Sequence, residues 1–243
     1  MKLFAISDPH FSGRVERNMN AYGEIWVDHE LQIKTNWTKT VRREDLVMIG
    51  GDISWATNLK DALVHLRQFS DLPGRFKIII KGNHDHWWKK KELVQAAVPK
   101  DMFVLQGSAI ELEGVVICGT RGWLSPNDPC SDPLDGKTFQ KELILLEQAL
   151  EQAMTLEGAK NGIHVLLHFP PFTTSGGKTS FWDLILKYPV STCTYGHFHM
   201  KNEWLSIPKG KVDGIECFLT ASDFIEHVPQ VISQLTKLDA PSS

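Results

Sequence analysis

The segment FKIIIKGNHD, residues 76–85, carries the pattern that decides the fold class. Its first half is a short apolar run rich in isoleucine, and its second half is a turn of glycine and polar residues. An apolar run of this length that ends abruptly in turn residues predicts a buried strand of a sheet. The polar residues Asn83, His84 and Asp85 therefore stand at the point where that strand ends.

Five other segments repeat this arrangement. The apolar runs span residues 3–6, 46–49, 115–118, 165–167 and 190–195. Apolar residues at spacings of three and four predict helices over 59–69, 139–153 and 180–187, and a fourth helix after Pro229. This alternation of strand and helix predicts an α/β fold with largely parallel strands. Residues 103–117 are predicted as hairpin strands, which makes the sheet mixed.

Length and composition indicate an ordinary soluble protein. The 243 residues suit one large α/β domain, and we predict a single domain over residues 1–243. The net charge of -3 gives no support to a nucleic-acid partner. No apolar run reaches the roughly 18 residues of a membrane span, and the apolar start is too short for a signal peptide.

The cysteines indicate the compartment. Cys118, Cys130, Cys193 and Cys217 form no CxxC pair, so the sequence contains neither a zinc-ribbon nor a thioredoxin motif. Three of the four lie in or beside apolar runs, which predicts buried free thiols in a reducing environment. We therefore predict a cytoplasmic protein.

Side chains that bind metals or carry protons follow five of the predicted strands directly. They are Asp8, His10, Asp52, Asn83, His84, Asp85, His168, His197 and His199. Sites in open α/β sheets form outside the carboxyl ends of the strands, so we expect these side chains to meet at one edge. A single histidine after a strand is more often structural, but five such turns together point to a functional site.

The types of side chain indicate the class of metal. Carboxylate, imidazole and amide oxygen together suit manganese, iron or zinc. None of the candidate ligands is a thiolate, which argues against a structural zinc site. Asp52 has two carboxylate oxygens and is therefore able to bridge two ions.

The order of these residues resembles the calcineurin-like metallophosphoesterase superfamily, in particular its bacterial-type phosphohydrolases. The shared blocks are Asp8-x-His10, Gly51-Asp52, Gly82-Asn83-His84-Asp85, His168 and Gly196-His197-x-His199. They extend over about four-fifths of the chain. The resemblance implies a four-layer α/β/β/α sandwich with two mixed sheets, flanked by helices on both outer sides.

The resemblance also implies two divalent metal ions, manganese, iron or zinc, held by seven side chains. The ligands of the first ion, here called the first set, would be Asp8, His10 and His199. The ligands of the second ion, the second set, would be Asn83, His168 and His197. Asp52 would bridge the two ions, together with a hydroxide that attacks the phosphorus.

Two further residues receive catalytic roles from the same resemblance. His84 would stabilise the transition state or protonate the leaving group, and Asp85 would orient its imidazole. The implied enzyme hydrolyses a phosphomonoester or phosphodiester, and we expect a small phosphorylated substrate. Two alternatives are a metal-dependent nuclease, which would favour a basic groove, and a scaffold that has lost catalysis.

Arg121 and three tryptophans stand near the predicted site in the sequence. Arg121 follows the strand run at 115–118 and is a candidate for binding the substrate phosphate; a structural pairing with a nearby carboxylate is equally compatible. Trp55, Trp87 and Trp88 are candidates to line the pocket, but packing in the core is the commoner role of such residues.

Overall fold

A computed structural model describes residues 1–12, 19–132 and 135–235 of the chain. The strands of its first sheet are β1 (Lys2–Ile6), β2 (Leu46–Ile49), β3 (Phe76–Ile80), β4 (Met102–Leu105) and β11 (Gln230–Gln234). Those of its second sheet are β5 (Ser108–Leu112), β6 (Val115–Thr120), β7 (Ile163–Leu167), β8 (Val190–Tyr195), β9 (Gly210–Val212) and β10 (Ile215–Leu219). The α-helices of the described residues are α1 (His29–Thr40), α2 (Leu59–Asp71), α3 (Lys91–Ala97), α4 (Asp135–Met154), α5 (Ser180–Ile185) and α6 (Lys201–Ser206).

Both sheets are mixed. The first has the order β11-β1-β2-β3-β4, in which β1 to β4 run parallel and β11 pairs with β1 in the antiparallel direction. The second has the order β5-β6-β7-β8-β10-β9, with a parallel centre and an antiparallel strand at each edge. The parallel strands of each sheet therefore end at a common edge.

Alternating side chains of the strands enter the three largest apolar clusters of the described residues. Leu3 and Ala5 of β1 pack between the two sheets, in a cluster shared with Ile117 and Leu166 of the second sheet. The intervening residue of β1, Phe4, points the other way into a cluster with α1, α2 and α3. The outer face of the second sheet packs on α4 and α5. Both faces of each sheet are therefore covered, one by the other sheet and one by helices. This arrangement is the four-layer α/β/β/α sandwich with two mixed sheets that the resemblance implied.

The helix predicted after Pro229 is wrong, because this segment forms β11. Its side chains alternate, with Ile232 buried (7% exposed) and Val231 exposed (36%), which is the pattern of a strand rather than a helix. Pro229 precedes an edge strand, where its missing N–H group removes no ladder hydrogen bond. The continuation of the predicted helix past residue 235 lies outside the described part of the chain.

The hairpin predicted over 103–117 is confirmed only in its second half. β5 and β6 form an antiparallel pair, whereas β4 runs parallel to β3 in the other sheet. The chain therefore crosses between the sheets within the two residues that separate β4 from β5, a change that apolar patterning does not reveal.

The burial of the cysteines and the character of the helices bear on two predictions made from the sequence. Cys118, Cys193 and Cys217 are buried free thiols, as predicted, and Cys130 is exposed. In the ranges that the structure describes, no helix has both the length and the apolar character needed to cross a membrane.

Candidate metal centre

The carboxyl ends of both sheets meet, and the side chains that follow them converge there. β1, β2 and β3 of the first sheet contribute the turns at 7–11, 50–54 and 81–85. The second sheet contributes the turns after β7 and β8. Backbone hydrogen bonds join the turns directly: the N–H groups of Asp8 and His10 donate to the carbonyl oxygens of Gly51 and Asp52, both at 3.0 Å.

Four of the predicted ligands have a backbone conformation that is unusual for a side-chain-bearing residue. The φ angles of Asp8, His10, Asp52 and His197 are 57°, 48°, 49° and 74°, in the left-handed region. Such conformations cost of order 1–3 kcal/mol each and occur mostly at functional sites. In this protein they occur in the turns that follow the strands, where the ligand side chains converge.

Two glycines of the sequence blocks permit the close approach of the turns. A Cβ atom on Gly82 would lie 2.1 Å from Asp52 Oδ1, and one on Gly196 would lie 2.2 Å from Asp8 Oδ2. Each carboxylate is thus pressed against the backbone of another turn. The glycines are required here by contact between strands rather than by turn geometry alone.

Asp52 lies at the centre of the cluster. Its Oδ1 accepts a hydrogen bond from the His84 backbone N–H at 2.7 Å. Its Oδ2 faces Nε2 of His10 at 3.8 Å and Nε2 of His168 at 3.6 Å. One oxygen therefore fixes the side chain, and the other faces members of both the first and the second set.

The second set converges on one amide oxygen. Asn83 Oδ1 lies 2.6 Å from His168 Nε2 and 3.0 Å from His197 Nδ1. The other ring nitrogen of His168, Nδ1, donates to the Gly50 carbonyl at 2.9 Å. Because a neutral imidazole carries one proton, this bond leaves Nε2 of His168 with a free lone pair.

The first set converges on Asp8. Its Oδ2 accepts from the His197 backbone N–H at 2.9 Å, and its Oδ1 lies 3.8 Å from His199 Nε2. Ligand atoms of Asp8, His10 and His199 lie within 4.8 Å of one another, as do those of Asp8, Asp52 and His168. Within the described residues, the structure thus brings together all seven predicted ligands.

A family model described as calcineurin-like phosphoesterase matches residues 1–201. The chain belongs to the calcineurin-like phosphoesterase family. Membership places the protein, in general terms, among metal-dependent phosphoester hydrolases. A crystal structure of AQ665, a protein of unknown function from Aquifex aeolicus, is similar over 95% of each chain, with 22% sequence identity and a TM-score of 0.48. No curated protein matches the chain.

The electrostatics of this phosphoesterase fit a divalent cation at the cluster. Asp8 Oδ1 and His10 Nδ1 are buried and make no hydrogen bond in the described structure. Burial raises the pKa of Asp8 to about 7, and burial together with the charges of Asp8 and Asp85 raises the pKa of Asp52 well above its usual range. A cation would offset this cost of two buried carboxylates and would use the unpaired atoms.

Three of the four predicted ligand histidines are kept in the neutral form that coordinates metals, whereas the hydrogen bond to Asp223 and the charge of Asp8 raise the pKa of His199 against the effect of burial. Burial, with the nearby His199 and His84, lowers the pKa of His197 to about 3. Burial also holds the pKa values of His10 and His168 well below their usual range. These rings therefore present lone pairs at neutral pH.

His84 stands at the open side of the cluster. Its side chain is 41% exposed, and its Nε2 faces Asp52 Oδ2 at 3.9 Å. The Trp55 ring packs against it with centroids 4.5 Å apart. The His84 ring is therefore accessible to solvent and hence to a substrate.

The Asp85 carboxylate makes its hydrogen bonds to groups other than the His84 ring, the partner that the resemblance had implied. Its Oδ1 accepts hydrogen bonds from the backbone N–H groups of Ile53 and Ser54 and from the Trp87 ring N–H, and its Oδ2 accepts from Gly82 N–H. None of the hydrogen bonds in the described residues joins it to the His84 ring. Asp85 instead ties the turn that carries Asp52 to its own turn.

Arg121 has the partner that a structural role requires. Its guanidinium donates to buried Glu142 at 3.1 Å and lies over the Trp123 ring at 4.2 Å. Its charge partly offsets the rise in the pKa of Asp52, so Arg121 lies within electrostatic reach of the cluster. A substrate role for Arg121 remains a proposal.

The three tryptophans divide between packing and the site. Trp87 and Trp88 are buried in the cluster between the first sheet and its helices. Trp55 stacks on His10, with centroids 5.0 Å apart and planes inclined by 20°. Only Trp55 therefore lines the candidate centre.

Sequence reasoning missed two side chains beside the first set. The Trp26 ring contacts His10 and His199 with centroids 5.8 and 5.5 Å away, and Asp223 Oδ1 accepts from His199 Nδ1 at 3.0 Å. Asp223 did carry a signal, because the apolar run of β10 ends in Thr-Ala-Ser-Asp, like the other strand ends. Trp26 lies between strands in a 3₁₀ turn and carried none.

Proposed function

We propose that the protein hydrolyses a small phosphomonoester or phosphodiester with two divalent ions, manganese, iron or zinc. The observation that supports this most directly is the position of Asp52. Its Oδ2 faces nitrogens of both sets, as a bridging ligand requires. The net charge of -3 gives no support to the nuclease alternative.

The seven ligands would hold the ions in the two sets defined above, with Asp52 shared. When bound, the ions would activate a water molecule as nucleophile and neutralise the charge of the phosphate oxygens. Asp8 and Asp52 would be ionised in that state. The protein supplies the rigid frame, because each carboxylate has one oxygen fixed by a backbone N–H group.

We assign the proton donor to His84. Its ring is partly exposed, and its Nε2 faces the space occupied by the Asp52 carboxylate. From that nitrogen it would donate a proton to the leaving oxygen as the phosphoester bond breaks. Asp85 would not touch the substrate, and would act by holding together the two turns that carry Asp52 and His84. Arg121 would add positive charge near the phosphate.

We also propose that the chain is one domain and that it is cytoplasmic. The apolar cluster between the sheets supports the first proposal, because it contains residues of both sheets. The three buried free thiols support the second.

The experiment that tests the function compares wild type with Asp52→Asn. Hydrolysis of a chromogenic phosphomonoester and a chromogenic phosphodiester is measured with added Mn²⁺ and after chelation. Wild type should hydrolyse at least one ester in the presence of metal, and the preference defines the substrate class. Asp52→Asn should be inactive, whereas Asp71→Asn, on the exposed end of α2, should match wild type. Metal-loaded wild type that hydrolyses neither ester would contradict the proposal and favour a scaffold.

A further inference from the structure

The turn after β10 is attached to the end of β1. The Ser7 backbone N–H donates to the Thr220 carbonyl at 2.7 Å, and the Ser222 hydroxyl donates to the Asp8 carbonyl at the same distance. A further contact joins the hydroxyl groups of Ser7 and Thr220 at 2.9 Å. This turn lies beyond residue 201, where the family match ends. It is nevertheless fixed to the backbone of a candidate ligand.

Asp223 of this turn is 4% exposed and contacts the ring of His199. Its Oδ1 lies 3.0 Å from His199 Nδ1 and also accepts the Phe224 backbone N–H at 3.0 Å. A carboxylate accepts hydrogen bonds, so the proton of the ring is placed on Nδ1. A histidine that binds a metal is neutral, so a metal-bound His199 ring has its lone pair on Nε2, the nitrogen that faces Asp8 Oδ1 at 3.8 Å.

The equivalent bond in the second set comes from the backbone. Nδ1 of His168 donates to the Gly50 carbonyl, an acceptor that no side-chain substitution removes. His199 depends on a side chain for the same purpose. Its orientation is therefore sensitive to a residue outside the blocks that define the family resemblance.

We propose that Asp223 is a positioning residue that selects the tautomer of His199 and thereby sets the affinity of the first metal site. The proposal rests on the assignment of His199 as a ligand in the proposed function. Partners that hold the second ring nitrogen of a metal-binding histidine typically contribute 10- to 100-fold to metal affinity.

The test measures Mn²⁺ binding to the full chain by calorimetry, without substrate. Asp223→Ala should weaken one of two binding events by about 10- to 100-fold and leave the other unchanged. Asp223→Asn retains an acceptor oxygen without the charge, so it should recover part of the loss. Asp213→Asn is the matched control, because Asp213 also accepts a ring N–H bond, from Trp182 at 2.8 Å, but outside the site.

A double-mutant cycle separates positioning from a general structural effect. In the His199→Ala background, Asp223→Ala should cause no further loss of Mn²⁺ affinity, because its effect passes through the missing ring. An equal loss in both backgrounds would overturn the proposal and make Asp223 a ligand or a structural residue. Unfolding curves recorded with chelator show whether each variant is folded.

The outcomes also separate this proposal from the proposed function. If wild type binds two ions and Asp223→Ala binds them equally well, only the role of Asp223 is wrong. If wild type binds none of Mn²⁺, Fe²⁺ and Zn²⁺, both proposals fail. If binding behaves as expected but neither ester is hydrolysed, the role of Asp223 stands and the enzymatic function fails.

Discussion

The two sets of candidate ligands differ in what holds their ring nitrogens. In the second set, Nδ1 of His168 is held by the Gly50 carbonyl, directly before the Gly51-Asp52 block. In the first set, Nδ1 of His199 is held by the Asp223 side chain, and Trp26 packs against both His10 and His199. Nδ1 of one histidine in the second set is thus held by the backbone, and Nδ1 of one histidine in the first set by a side chain from a distant part of the sequence.

This difference bears on how each set responds to substitution. A backbone carbonyl stays in place as long as the strand does, so the second set should respond mainly to changes of its own ligands. A supporting side chain is removed by a single substitution, so the first set should also respond to changes outside the blocks. The following experiments test whether the two sets are separable in this way.

The largest effect should come from removing one ligand of each set. His199→Ala and His168→Ala should each weaken one of the two Mn²⁺ binding events and abolish metal-dependent ester hydrolysis. The loss should exceed the roughly 10- to 100-fold expected for an outer partner. His86→Ala, which removes an exposed histidine beside the catalytic block, is the control. If either variant loses both ions, the two sets are not separable.

His84 belongs to neither set, so its removal should leave both intact. His84→Ala should lower turnover by about 10²- to 10⁴-fold, the usual contribution of a general acid, with Mn²⁺ content unchanged. Turnover and bound metal are measured on the same preparation. Full activity together with full metal content would show that His84 is not the proton donor.

A pH-dependent effect should distinguish Asp8 from the neutral ligand Asn83. The pKa of Asp8 is raised to about 7 by burial in the metal-free protein, against 3.8 ordinarily. The folded state therefore binds this proton more tightly than the unfolded state does. The contribution of this proton to the free energy of unfolding is complete below about pH 4 and is lost as the pH rises through 7.

Asn does not titrate, so the Asp8→Asn variant does not lose this free energy of unfolding as the pH rises. Metal-free Asp8→Asn should therefore gain stability over metal-free wild type as the pH rises from 5 to 8, by about 3 kcal/mol. Urea unfolding with chelator measures the difference. Asn83→Ala, which removes a ligand that does not titrate, should show a difference from wild type that is constant with pH. A flat profile for Asp8→Asn would show that Asp8 is ionised in the metal-free fold.

The smallest effect is expected from Trp26. Trp26→Phe loses part of the ring contact with His10 and His199 and should weaken the first ion by about two- to tenfold, without changing the second. Trp88→Phe, in the apolar core, should lower stability but leave both affinities unchanged. An equal weakening of both ions by Trp26→Phe would contradict the separate support of the first set.

The sequence predicted the central strands because each is a short apolar run that stops at a polar turn. It failed for β11, where a stretch with valine and isoleucine at adjacent positions was interpreted as a helix. It also placed the segment now seen as β4 in a hairpin. In both cases the partner strand, which local patterning does not encode, decided the outcome.

The candidate ligands were identifiable because each directly follows a strand of the parallel type, and such strands share one edge. Asp85 shows the limit of this reasoning. Its place in the block predicted contact with His84, but four N–H donors from Ile53, Ser54, Gly82 and Trp87 surround its carboxylate instead.

The sequence by itself determined which residue types arrive at the strand ends, and hence the family, the class of chemistry and the seven candidate ligands. Only the tertiary structure decided which atoms face one another: that Asp52 lies between the two sets, and that Asp223 and Trp26 support the first. The physical reason is that alternation and turn residues act over a few neighbours along the chain. The direction of a ring nitrogen depends instead on partners that folding brings close. His199 precedes β9 in the sequence and Asp223 follows β10, yet the two side chains are in contact.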